Sequence, residues 1–133
     1  VIDVEAKVYT LISAALREAF EGIEVSGEYV KAPSEFPFVS IVEADNYTTL
    51  AHADTSETER FATVMYEINA YSNKGVSKKA ECKAIMKIID DLMYRMNFTR
   101  IAITPVPDLD NATIYRMTAR YRAETDGTTI YRR

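Results

Sequence analysis

Apolar positions along the chain switch between two periods, and the switches divide it into elements. Val4, Val8, Leu11, Ile12, Ala15, Ala19 and Phe20 recur at steps of three and four, which predicts an amphipathic helix. Asp3 is placed to cap it, Glu5 suits its first turn and Gly22 its stop. The period then falls to two. Ile23, Val25, Gly27 and Tyr29 alternate with polar residues and predict a half-buried strand over residues 23–29. Pro33 and Pro37 break the chain, and residues 38–44 form a second, more apolar strand.

Residues 46–60 carry no apolar period. They are rich in threonine and acidic residues and are longer than ordinary connections, so they are expected to be a functional or a disordered loop. Residues 61–72 form a long strand. Ala62, Val64, Tyr66, Ile68 and Ala70 share one of its faces, and Thr63, Met65, Glu67, Asn69 and Tyr71 the other. Ser77 is placed to cap a second helix whose buried face is Cys82, Ile85, Ile89, Leu92 and Met96, with Ile88 and Met93 beside it, and Asn97 is placed to stop it. Strands follow at residues 98–104 and 113–124. Asp126-Gly127 signals a two-residue hairpin turn into a short sixth strand over residues 128–132. The order predicts one α+β domain spanning residues 1–133: a mostly antiparallel sheet of five or six strands with both helices on one face.

The 133 residues suffice for one real core, and 47% apolar residues are near the globular average. The net charge of −4, with a pI near 5.1, argues against a protein that grips nucleic acid through its phosphates. The single cysteine, Cys82, allows no intrachain disulfide and suits a reducing compartment. No apolar run approaches the roughly 20 residues that span a membrane. Val1 is not an initiator Met, so the chain is expected to start inside or just after the gene start.

Candidate chemistry changes this picture little. The four glycines are isolated and build no phosphate cradle. His52 reads as an exposed loop residue. Asp108, Asp110 and Asn111 read as an Asx-rich turn, because a calcium loop starting at Asp108 would place Thr113 where a glycine belongs and Ala119 where a glutamate belongs. Cys82 faces the core, and the pair Glu57 and Glu59 has no apolar pocket to shift either carboxyl. No catalytic residue, metal site or cofactor is expected, and the protein is not expected to be an enzyme.

Other features point to assembly. Lys78 and Lys79 open the second helix and Asp90 and Asp91 lie toward its end, against the helix dipole, at roughly 0.3–1 kcal/mol each. Packing can absorb that cost, or the charges can match a neighbouring subunit. In the fifth strand Arg116, Thr118, Arg120 and Arg122 share one face, opposite Tyr115, Met117, Ala119, Tyr121 and Ala123. Arginine and tyrosine are enriched at interfaces, although a solvated sheet face has the same pattern. Stacking on single-stranded nucleic acid is the weaker alternative, because the tyrosines fall on the face away from the arginines.

The N-terminal amphipathic helix, the Pro-bounded strand Phe36-Pro37-Phe38-Val39-Ser40-Ile41 and the strand from Val64 to Asn73 come in a telling order. Lys79-Ala80-Glu81 opening a long helix, Met96-Asn97-Phe98-Thr99-Arg100 and the closing stretch from Ile114 to Tyr121 complete it. Together they resemble the tail terminator, or tail completion (head–tail joining), proteins of long-tailed bacteriophages. The resemblance implies a structural virion protein, made in the host cytoplasm, that forms a homo-hexameric ring. The ring ends polymerisation of the tail tube and joins the tail to the head connector. DNA passes through it without sequence-specific binding. Its expected partners are copies of itself, the tail tube protein and the connector or neck protein, with no membrane involved. The residues expected at contact surfaces are Thr55, Glu57, Glu59 and Arg60 in the loop, and Lys78, Lys79, Asp90, Asp91, Arg116, Arg120 and Arg122 on the second helix and fifth strand. Another phage neck protein, for head closure or connector docking, is the near alternative. A small ligand-binding α+β domain is the more distant one.

Overall fold

The computed structural model describes residues 2–30, 33–48, 61–107 and 112–131. Its elements run α1 (Glu5–Ala19), β1 (Glu24–Ser26), β2 (Phe38–Thr48), β3 (Ala62–Ser72), α2 (Lys78–Arg95), β4 (Thr99–Val106), β5 (Tyr115–Thr125) and β6 (Ile130–Tyr131). The fold is α+β, with both helices on one face of a curled six-stranded sheet, as the periodicity predicts. The strand order is β1-β2-β3-β5-β4, with β6 paired to the end of β5. Every pairing is antiparallel except that of β1 with β2, so the sheet is mixed.

The core lies between the sheet and the helices. Val8, Ile12 and Leu16 of α1 and Cys82, Ile85, Met86, Ile89 and Met93 of α2 meet Val39, Ile41, Val64, Tyr66, Ile68, Ala119 and Tyr121 from the strands. Full burial of each large apolar side chain contributes about 1.5–3 kcal/mol. The face of α1 runs through Leu16 rather than Leu11, which is 43% exposed at a groove shared with Leu92 and Met96. The face of α2 is likewise turned toward Met86 and Met93, leaving Leu92 and Met96 half-buried.

Local chemistry moved several boundaries. Asp3 accepts the Glu5 N–H at 2.8 Å, just outside the helix, and Val4 holds the cap position. Strand β1 stops at Ser26 because its hydroxyl accepts the Glu28 N–H at 3.1 Å and turns the chain. Strand β2 does not end at Ala44. A bulge between Glu43 and Asp45 absorbs one residue, and Asn46, Tyr47 and Thr48 go on pairing with Val64, Thr63 and Ala62. The expected loop therefore loses its first three residues to the sheet. Ser77 makes no side-chain cap; a 3₁₀ turn over Gly75–Ser77 leads into α2 instead.

Helix α2 ends in a Schellman motif. Asn97 takes a left-handed conformation (φ 69°), its N–H reaches the Tyr94 carbonyl at 3.0 Å, and the Phe98 N–H reaches that of Met93 at 2.9 Å. The Asn97 amide also donates to the Ile130 carbonyl at 2.9 Å, fastening β6 to the helix end. The β5–β6 connection is wider than two residues, since β5 ends at Thr125 and β6 begins at Ile130. Asp126 accepts the N–H groups of Thr128 and Thr129 at 2.9 and 2.7 Å and shapes this longer turn.

Candidate functional site

The strands alternate, so each residue buried under the helices has neighbours on the opposite face. There Phe38, Ser40 and Val42 of β2 stand beside Tyr71, Asn69 and Glu67 of β3, which stand beside Arg116, Thr118 and Arg120 of β5. No helix among the described residues covers this face. Its centre is nonetheless closed to solvent: Asn69 and Ser40 are fully buried, and Tyr71 and Phe38 nearly so.

Asn69 is the hub. Its Oδ1 accepts from Arg116 Nε at 3.1 Å, Arg116 Nη2 at 2.9 Å and Thr118 Oγ1 at 2.6 Å, and its Nδ2 donates to Ser40 Oγ at 3.3 Å. Three strands are thus tied through one amide. The Arg116 guanidinium also lies 5.4 Å from the centre of the Tyr71 ring, which packs against Phe38 at 5.7 Å. Farther along β5, Arg120 pairs with Glu67 at 3.0 Å. Arg122 is exposed and forms no ion pair among the described residues.

The sequence-predicted contact residues separate into different surfaces. Arg116, Arg120 and Arg122 share the open face, with Arg116 engaged in the hub. Lys78, Lys79, Asp90 and Asp91 lie across the sheet, on the helix side. Lys78 Nζ donates to the Ala112 carbonyl at 3.0 Å, and Lys79 is exposed. Asp90 accepts the Tyr121 hydroxyl at 2.9 Å and meets Arg100 at 3.3 Å; Asp91 pairs with Arg95 at 3.0 Å. The helix ends at Arg95, so both aspartates precede the last turn, where the dipole acts most strongly. Their charges find partners inside the subunit. Thr55, Glu57, Glu59, Arg60 and His52 lie outside the described residues, as do Asp108, Asp110 and Asn111.

Cys82 is fully buried, with its thiol near the carbonyls of Tyr115 at 3.4 Å and Ala70 at 3.6 Å. Burial first, and then the Glu81 charge, push its pKa up to about 12, which suits a packing residue rather than a nucleophile.

The sheet's two margins differ in charge. At the β1 margin Glu24, Glu28 and Glu35 are exposed, and Glu24 and Glu35 line a cleft of about 330 Å³ with Phe38. At the β4 margin Arg100, Ile101 and Ala102 are exposed, Arg100 reaching Asp90 on the helix side, while Arg120 and Arg122 of β5 lie on the open face with Arg120 paired to Glu67; β4 itself contains no acidic residue. Sequence reasoning found the arginine face but not the hub or this polarity. Asn69 stood out only as one polar position in an alternating strand, and its partners are fixed by pairings distant in sequence. Comparison with protein-family models and with curated protein sequences finds no match.

Proposed function

We propose that this chain is the ring-forming subunit of a tail terminator: it associates head to tail, caps the tail tube and docks on the head connector. The observation that carries the reading is the charge difference between the sheet's two margins: exposed Glu24, Glu28 and Glu35 at one, and at the other the exposed Arg122 of β5, which forms no ion pair among the described residues. A heterologous interface joins two different patches of the same subunit, and a closed ring leaves neither patch free. Here the acidic β1 margin and the basic β4 margin lie at opposite ends of one sheet, so neighbouring copies present complementary surfaces. The network around Asn69 holds the strands that carry Arg120 and Arg122 in fixed register, which suits a surface acting by shape.

The test is the state of assembly. The purified chain, alone and with isolated tail tubes, is followed by light scattering and negative-stain imaging. Rings are expected, six-membered by the family resemblance. Arg122→Glu and Glu24→Arg should each weaken association several-fold, and the double variant should recover part of it. Monomers alone at every concentration, even beside tubes, overturn the proposal. In assembly reactions lacking the protein, over-long tails fit a terminator; normal tails beside leaking heads fit another neck component.

A further inference from the structure

The start of α1 and the β2 bulge bring three carboxylates together. Oxygens of Asp3, Glu5 and Glu43 lie within 4.8 Å of one another, with Asp3 exposed and the two glutamates half-buried. No lysine or arginine pairs with any of them among the described residues. Asn46 Nδ2 positions Glu43 by donating to its Oε1 at 3.0 Å, and the Glu5 N–H holds Asp3 at 2.8 Å. A cleft of about 350 Å³, lined by Asp3, Glu5, Ala6, Tyr9 and Gly27, opens Asp3 and Glu5 to solvent.

A second observation points into the same place. Tyr66 faces Glu43 across the β2–β3 ladder and is fully buried; its hydroxyl points toward the Glu43 carboxylate but closes no hydrogen bond of good geometry. A buried hydroxyl without a well-formed hydrogen bond is costly and calls for an explanation.

We propose that Asp3, Glu5 and Glu43 hold a divalent cation of the calcium class, with the Tyr66 hydroxyl donating to a water in its shell. The all-oxygen donor set selects a hard ion over zinc or copper. Oxygens within 4.8 Å of one another can share one ion, and calcium accepts irregular shells of roughly 6–8 oxygens at about 2.3–2.6 Å where magnesium demands a near-ideal octahedron. The bound ion cancels the mutual repulsion and ties the N-terminal end of α1 to the sheet.

Titration of the purified chain with calcium chloride by calorimetry, against sodium chloride of equal ionic strength, tests this. One saturable site is expected, with a Kd of about 10⁻⁴ to 10⁻³ M, together with a rise in Tm of several degrees. Glu43→Gln should weaken binding at least about tenfold by removing one of three charged ligands. If that variant does not fold, Glu5→Gln carries the same test from the first turn of α1. Tyr66→Phe should raise the calcium-free Tm while reducing the shift calcium produces, a pairing that a purely structural tyrosine does not give. No saturable binding up to about 10 mM calcium overturns the proposal, as does binding that both Glu43→Gln and Tyr66→Phe leave intact.

Discussion

The two faces of this sheet are built from the same strands and bury their centres by different means. Under the helices, Ile41, Ile68 and Ala119 are closed off by Ile85, Ile89 and Met93, and no directional contact is needed. One residue over, Ser40, Asn69 and Thr118 are linked by hydrogen bonds of defined geometry. The first face is held by area removed from water, which tolerates exchange of one aliphatic shape for another. The second is held by satisfied polar groups, which tolerate almost no exchange, because losing one partner strands the rest. A polar face of this kind gives register and rigidity.

The contrast can be tested by substitution, measured as denaturant unfolding. Ile89→Ala on the covered face should cost most, about 2–5 kcal/mol, because it opens a cavity in a fully buried position. Asn69→Ala should cost about 1–3 kcal/mol by leaving Arg116 and Thr118 without their acceptor. If Asn69→Ala proves neutral, the hub is ornamental and the two faces do not differ as argued. Arg120→Ala should change stability least, by about 0–1 kcal/mol, since its pair with Glu67 is half-exposed. A loss as large as that of Asn69→Ala would extend the network along the whole strand.

Much of the fold is legible in the sequence because it is written in local periods. Alternation places Ala62–Tyr71 of β3 and Tyr115–Ala123 of β5 on their observed faces, and the three- and four-residue steps locate both helices. Boundaries fail where a side chain competes with the backbone, as at Ser26, or where a distant strand supplies the pairing, as for Asn46–Thr48 against Ala62–Val64. The candidate site is half legible for the same reason. Arg116, Arg120 and Arg122 announce themselves by spacing. The convergence of Arg116 on Asn69, or of Glu43 on Asp3 and Glu5, depends on register between segments far apart in the chain, and no window of sequence contains it.

The long ladder from Ala62–Thr125 to Ser72–Tyr115 joins two halves that each form locally. Strands β2 and β3 are neighbours in sequence, as are β4 and β5, so each hairpin can zip early and cheaply. Their union must wait for a wide stretch of chain, helix α2 included, to be drawn into a closed circuit. Closure of that one seam is therefore expected to limit refolding, and until it shuts, both hairpins carry a naked central edge able to pair with the wrong molecule.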